Sequence, residues 1–336
     1  MSITTLNNPV PDESKLTFIN DDIAWLRMPL PFQLDHINLY LIRDGDRFAL
    51  VDTGLHTSKT QAIWDTIFSE QKVSLSKVVV THMHPDHLGN AGWLTERFEI
   101  PLYMTHKEYY VSRAIRAGDQ GASTRLDEQF MRRAGLSQEA ISRSLQRRNG
   151  IRHVISPIPL SFECLKENDS LVIGNTTWKV IIGKGHSPEH ACLYCEQNGV
   201  LISGDHVLPQ ISPNIGVYST EPNANSLKQY LTTLPQFLNL PEDTIVLPAH
   251  KRPFTGLHDR VSALMSHHHE HLSSLIEFCQ EERSLVDCLP VLFKRELDEQ
   301  SMFFAVAECL SHLNYLVFDE KMTRVLRNDV WLYQSI

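Results

Sequence analysis

Residues 81–90 read THMHPDHLGN. Three histidines and one aspartate fall within His82–His87, on a stretch too short for all four to face one ion. A chain carrying such a segment must fold so that further donors reach it from distant sequence, because a single tetrahedral ion is satisfied by four ligands. Those donors stand at the ends of apolar runs. His82 and His84 follow the β-branched run KVVVT (77–81), and His186 lies in GKGHSPEH after TTWKVIIG (176–183). Asp205 closes VLISGD (200–205), and His250 closes TIVLPAH (244–250). Ligands gather in this way where the C-terminal ends of neighbouring strands open at one sheet edge. Together with Asp86 and His87 these imidazoles and carboxylates number seven, a set for two divalent ions, Zn2+ foremost and Fe or Mn admissible.

The surrounding pattern supplies the strands. IAWLRMP (23–29), INLYLIRD (37–44) and FALVD (48–52) read as strands, followed by a helix over 58–71. A helix over 88–98 and the strand IPLYMT (100–105) come next, and residues 106–153 read as an insert of two or three helices. Strands return at 171–174, 176–183, 191–196 and 200–205, then a helix over 225–238 and a last strand at 244–250. Beyond Lys251, Leu257, Val261, Leu264, His268, Leu272 and Leu275 step at helical spacing. Further helices are expected over 284–294 and around Phe303–Val317, then a hairpin turning at Asn328–Asp329. The expected organisation is a catalytic domain over 1–256, with its insert at about 106–153, and a small domain over 257–336.

Charge separates the insert from the rest. The net charge of −9 argues against a general nucleic-acid binder, yet Lys107–Arg152 holds ten Lys/Arg against five Asp/Glu. Arg113, Arg116, Arg125, Arg132, Arg133, Arg143, Arg147 and Arg148 are therefore candidates for anion binding, or else the solvated face of a helix pair. The start, MSITTLNNPVPDESK, has no apolar core of a secretory signal, and no run of about 18 apolar residues is seen, so neither export nor a membrane span is expected. Cys192 and Cys195 form a lone CxxC in a strand, where i and i+3 face opposite sides, so all six cysteines are expected as free thiols in a reducing, cytoplasmic compartment. The run HHHEH (267–271) is read as a solvated or interface face rather than a site.

VDTG, THMHPDH, GKGHSPEH, SGDH and LPAH resemble the five successive motifs of the metallo-β-lactamase-fold hydrolases, across roughly residues 20–255. The resemblance implies an α/β fold, an αββα sandwich with metals at one edge. It assigns His82, His84 and His186 to a first metal and Asp86, His87 and His250 to a second, with Asp205 bridging. Asp52, in the first motif, would orient ligands. Asp86 occupies a position where β-lactamases of this fold often have cysteine, which argues against antibiotic hydrolysis; the full set resembles glyoxalase II, lactonases, thioesterases and nucleases. Residues 257–336 resemble the winged-helix tail of some of these hydrolases, including a group with endoribonuclease activity.

Two ions sharing a water would give hydroxide at neutral pH for attack on an acyl carbon. A thiolate leaves without protonation, whereas an alkoxide or amine would need an acid, for which Asp86 or a metal-bound water is the candidate. A small ester or thioester, coenzyme A- or glutathione-linked, is the expected substrate; an endoribonuclease or lactonase is the alternative. Tyr109, Tyr110, Arg113, Arg116, Asn214, Tyr218 and His56 are candidates to line the pocket. The third helix of the tail carries Glu308, His312 and Asn314 but no arginine, so a packing or homodimer role is expected of it before a nucleic-acid one.

Overall fold

The structure, a computed structural model, describes residues 2–336 except 32–33, 119, 149–150 and 295; the side chains of 120–123, 146–148, 151 and 299–300 are also outside the description. The chain opens with β1 (Thr4–Thr5), β2 (Thr17–Phe18), β3 (Ile23–Pro29), β4 (His36–Asp44), β5 (Arg47–Val51) and α1 (Ser58–Glu70). Next come β6 (Leu75–Val79), α2 (Pro85–Leu88), α3 (Ala91–Phe98) and β7 (Leu102–Thr105). The insert holds α4 (His106–Ala117), α5 (Gln120–Arg133) and α6 (Gln138–Arg148). Strands β8 (Glu163–Leu165), β9 (Ser170–Ile173), β10 (Thr176–Gly183), β11 (His190–Cys195) and β12 (Val200–Gly204) follow. After α7 (Ser226–Thr233) come β13 (Ile245–Pro248) and β14 (Phe254–Thr255). The C-terminal segment is α8 (Leu257–Phe278), β15 (Arg283–Ser284), α9 (Leu285–Leu292), α10 (Glu299–Phe318), β16 (Met322–Arg327) and β17 (Val330–Ser335).

Two seven-stranded sheets stack face to face. One runs β2-β3-β4-β5-β6-β7-β8 and the other β1-β14-β13-β12-β11-β10-β9. The residues between them are apolar on both sheets: Trp25, Tyr40, Ala49 and Val51 meet Trp178, Val180, Leu193 and Ile202. The first sheet turns its other face, with Leu26, Leu39 and Leu50, to Ile63, Trp64 and Ile67 of α1 and Leu94 of α3. The second turns Ile181, Cys192 and Leu201 to Leu227 and Tyr230 of α7 and Val261 and Leu264 of α8. Helices therefore cover both outer faces, and the central strands β4, β5, β6, β11, β12 and β13 are largely buried on both sides. Cys192 and Cys195 point to opposite faces of β11, one into each apolar layer, and all six cysteines are free.

Several boundaries differ from the sequence reading for local reasons. The helix expected over 88–98 is two helices, because the chain must close the turn Pro85–Leu88 before α3 starts at Ala91. The helix expected over 225–238 tightens to a 3-10 turn at Leu234, where Pro235 removes an amide donor. A strand beyond Lys251, β14, pairs with β13 and with β1 at the N-terminus. The insert also divides. Tyr109 of α4 packs with the first sheet, while Phe130, Met131, Ala134 and Ile141 of α5 and α6 join the apolar layer shared with the C-terminal segment.

In that segment, β15, β17 and β16 form a small sheet beside α8, α9 and α10. The 301–318 stretch of α10 reaches a mean hydropathy of 1.3, long and apolar enough by composition to span a membrane, but 61% of it is buried inside the fold. Its polar residues Glu308, His312 and Asn314 face inward and are buried. The histidine run on α8 lies partly against them rather than in water. His312 Nδ1 donates to the Glu308 carbonyl, and its Nε2 accepts from His268 at 3.1 Å. His271 packs 5.5 Å from the His312 ring and 4.1 Å from His267, centroid to centroid. Burial, with the neighbouring rings, holds His268 down to about 2 and His271 down to about 4, so these side chains are neutral packing partners at neutral pH.

Candidate metal centre

The motif at 81–90 works by changing backbone type halfway. His84 has extended geometry (φ −65°, ψ 145°), and residues i and i+2 of an extended chain share a side. His82 and His84 thus face one way. Pro85, which has no amide hydrogen, then starts the turn of α2, and helical spacing sends Asp86 and His87 to a neighbouring position. Gly89 closes that turn: a side chain there would stand 2.4 Å from the Gly54 carbonyl. The other donors arrive as the strand ends promise, His186 after β10, Asp205 after β12 and His250 after β13.

Two donor groups result. His82, His84, His186 and Asp205 form one, and Asp86, His87 and His250 the other, with donor atoms in each lying within 4.8 Å of one another. In the first, His82 Nε2 is 2.8 Å from His84 Nδ1 and 3.2 Å from His186 Nε2, which is 3.5 Å from Asp205 Oδ2. In the second, Asp86 Oδ2 lies 3.6 Å from His87 Nε2 and 3.5 Å from His250 Nε2. Asp205 reaches both, its Oδ2 3.5 Å from His87 Nε2 and its Oδ1 3.3 Å from His250 Nε2. A tetrahedral ion with bonds of about 2.0–2.2 Å has ligand-to-ligand edges of about 3.3–3.6 Å, and most of these separations match. Buried His87 Nε2 and Asp205 Oδ1 have no hydrogen-bond partner. Orphaned polar atoms facing one another are costly unless an ion satisfies them, so the donor set fits divalent cations.

Outer contacts fix which nitrogen faces inward. His87 Nδ1 donates to Asp52 Oδ2 at 2.7 Å, His186 Nδ1 to the Asn214 carbonyl at 2.8 Å, and His250 Nδ1 to the His36 carbonyl at 2.9 Å. Each leaves Nε2 for the centre. Asp52 itself sits at φ 61°, a left-handed conformation that aspartate tolerates, and also accepts from the Thr81 amide at 2.8 Å.

Electrostatics divide the two groups. Burial, reinforced by neighbouring histidines, holds His82 well below its usual value; burial also takes His84 down to about 3. In the second group burial acts on His87 and His250 in the same direction, but it is outweighed by Asp52, Asp86 and Asp205 for His87 and by Asp205 and Asp86 for His250. His87 is raised, and His250 rises to about 10. Burial likewise fails to raise Asp205, which His250 and His87 hold well below the carboxylate range.

Two residues that no sequence pattern marked stand directly behind the donors. Glu108, buried on α4, accepts from the Met83 amide at 2.9 Å, the Ser187 hydroxyl at 2.7 Å and the Glu189 amide at 2.6 Å. One carboxylate thereby ties the His82–His84 loop to the His186 loop. His190 stacks 4.7 Å behind His82, and its Nε2 accepts from the Asp205 amide at 3.1 Å. Gly204 gives that ring its space: a Cβ there would lie 2.5 Å from it. Only the HSPEH spacing hinted at His190, and the first turn of a helix gave no signal for Glu108.

The candidate pocket residues are more dispersed. Tyr109 is 3% exposed, stacks on Phe162 and donates to the Pro159 carbonyl, which Arg113 also reaches. Tyr110 is exposed, His56 is joined to Asn90, and Arg116 has a buried Nε without a partner. Arg132 pairs with Glu128 and Asp329, Arg133 with Asp329, and Arg143 with Glu139. The side chains of Arg147 and Arg148 lie outside the described residues. Asn214 lies beside His186, and Tyr218 is joined to it, its hydroxyl donating to Asn214 Oδ1 at 3.2 Å.

A four-layer sandwich with nitrogen and oxygen donors for two ions at one edge defines a class of metal-dependent scaffold. The chain belongs to the metallo-beta-lactamase superfamily, which it matches over residues 33–250. Residues 272–336 match the family described as metallo-beta-lactamase-like, C-terminal domain. A beta-lactamase domain protein of Burkholderia ambifaria superposes with a TM-score of 0.92 at 34% identity, over 99% of this chain and 98% of that one. A metallo-beta-lactamase family protein of Thermus thermophilus gives 0.81 at 24% identity, over 95% and 100%. The probable metallo-hydrolase YqjP of Bacillus subtilis is 23% identical over 324 residues, 90% of this chain and 94% of its own. More distantly, a hydroxyacylglutathione hydrolase of Haemophilus ducreyi is 23% identical over 232 residues, 67% of this chain and 70% of its own.

Proposed function

We propose that the protein is a hydrolase that uses two divalent ions to cleave a small ester, with thioesters linked to coenzyme A or glutathione as the first choice. The observation that carries this reading is the pair of donor groups sharing Asp205, with His87 Nε2 and Asp205 Oδ1 left without partners. Ions held there would supply a nucleophilic water at neutral pH and electrophilic stabilisation of a developing oxyanion. The chain's own residues do the rest. His82, His84, His186, Asp86, His87 and His250 would hold the ions, Asp205 spans the two groups, and Asp52 and the carbonyls of His36 and Asn214 hold the imidazoles. Asp86 has no proton to hand to a departing oxygen or nitrogen at neutral pH, because burial of its carboxyl is outweighed by His87 and His250, which bring it down to about 2.

A thioester needs no such proton, and the hydroxyacylglutathione hydrolase relative supports that substrate class. Zinc suits the nitrogen-rich donors, with iron or manganese the alternatives. The buried inner face of α10 and the paired arginines of α5 and α6 argue for a small-molecule substrate over RNA. Cys279 and Cys288, 3.6 Å apart and unlinked, suit a reducing, cytoplasmic setting. The test is a side-by-side assay of metal-free and Zn2+-reconstituted protein on a thioester panel, a lactone and a labelled single-stranded RNA. Metal-dependent thiol release is expected; cleavage of RNA alone, or full activity without metal, would overturn the reading.

A further inference from the structure

Residues 205–225, between β12 and α7, begin with Asp205 and include the Asn214 carbonyl that accepts the Nδ1 hydrogen of His186. The segment has no helix or strand of its own, so its backbone polar groups need partners from elsewhere. The C-terminal segment provides many of them. The Arg260 guanidinium of α8 donates to the carbonyls of Leu208 and Ile211. The Val217 amide donates to the Ala307 carbonyl of α10 at 3.0 Å. Asn314 of α10 donates to the carbonyls of Pro222 and Ala224, and Arg324 of β16 donates to Asn223 and to Asn314. In the middle of this line, Asn214 Nδ2 donates to Glu308 Oε2 at 3.0 Å and to the Phe304 carbonyl at 3.2 Å.

Glu308 is difficult to explain as packing. Its carboxyl is buried on the inner face of a largely apolar helix, and burial pushes it up to about 7 against the opposing hydrogen bond from Asn214. An apolar side chain would fill the space at lower free energy. What Glu308 adds is an acceptor aimed at Asn214.

We infer that Glu308 is a positioning residue of the metal centre: by holding Asn214 it fixes the carbonyl that orients His186, and α10 is a splint for the loop that supplies Asp205. The inference rests on the reading of the seven donors as a two-ion centre. It makes the C-terminal segment part of the machinery, acting through one loop, rather than an appendage.

The test titrates metal-free full-length protein with Co2+, read by its visible absorption, and with Zn2+ against a competing chelator. Glu308→Ala is expected to weaken ion binding about 10–100-fold, as loss of outer partners of metal ligands does, and to change the Co2+ spectrum. Glu308→Gln offers a carbonyl oxygen to the same amide and is expected to keep wild-type affinity. Ile67→Ala, a buried position of α1 packed on the first sheet, controls for a general loss of packing and is expected to bind as wild type. If wild type takes up no ion, the two-ion reading falls and takes the inference with it. If wild type binds ions while Glu308→Ala binds them equally well, or if Glu308→Gln or Ile67→Ala is as weak as Glu308→Ala, the inference alone is overturned.

Discussion

Removing Glu108 should harm metal binding more than folding. Its carboxylate accepts from two backbone amides, Met83 and Glu189, and from the Ser187 hydroxyl. In Glu108→Leu the hydroxyl can rotate, but the two buried amides lose their acceptor, at about 1–3 kcal/mol each. Against this, the variant no longer buries a carboxylate. Burial raises the Glu108 carboxyl despite all three hydrogen bonds, so desolvation outweighs them and its removal offsets much of the loss. The net change in stability of the metal-free protein should be about 1–3 kcal/mol. The loops carrying His82, His84 and His186 then lose their common tie, and affinity for the first ion should fall about 10–100-fold. Glu108→Gln should not rescue it. Oε1 could still serve Ser187 and Glu189, but the amide nitrogen would face the Met83 N–H, donor against donor. Denaturant unfolding of the metal-free protein and Zn2+ competition on the same samples separate the two effects. Wild-type Zn2+ affinity in Glu108→Gln, or a stability loss with affinity intact, would refute the argument.

Other outcomes are equally specific. Asp52→Asn should weaken the second ion by about 10–100-fold, because His87 loses the carboxylate that fixes its tautomer, as competition titration would reveal. Calorimetry in buffers of different ionisation enthalpy should find that filling the second group releases a proton from each of His87 and His250, so its affinity climbs with pH, whereas the neutral His82 and His84 contribute none. Away from the site, burial would raise Asp44, but hydrogen bonds from Lys77, Ser76 and the Gly174 amide bring it down to about 2. Its contribution of about 2 kcal/mol is present above pH ~4 and lost as pH falls toward 2, so Asp44→Asn should destabilise the protein at pH 7 and leave it unchanged near pH 2 in acid-unfolding curves.

The donors were legible in the sequence because each follows a strand, and strand ends are marked by apolar runs that stop abruptly at a polar residue. The two sheets were legible for the same reason, through runs such as KVVVT and TTWKVIIG. The division of the insert was not. Arginines and helical spacing occur on α4 as on α5 and α6, and only the tertiary packing sends Tyr109 to one apolar layer and Phe130 to the other. Nor could spacing reveal Glu108, or that Asn214, expected in the pocket, acts through its backbone carbonyl, since an acceptor is defined by donors remote in sequence. In the HHHEH run the spacing places His268 on the apolar stripe of α8, but it does not reveal the buried His312 that stands opposite on another helix.

The residues behind the donors share a logic. Each donor loop is braced from a different part of the chain: Asp52 after β5 supports His87, Glu108 on α4 joins the His82 and His186 loops, His36 at the start of β4 supports His250, and α10 reaches His186 through Asn214. No single element owns the centre, so ion binding draws on the sandwich, the insert and the C-terminal segment together. Ligand binding stabilises a native state in proportion to the logarithm of ligand over dissociation constant. A variant that frees α10 from the loop therefore lowers the stabilisation by metal as well as the affinity, whereas one that removes only the arginine pairs of α5 and α6 should leave both intact. That difference assigns α4 and α10 to the support of the site and leaves those arginines, whose described charges are largely spent on Glu128, Glu139 and Asp329, to the packing of the fold, while Asp127 of α5 accepts from Ser219 of the same loop.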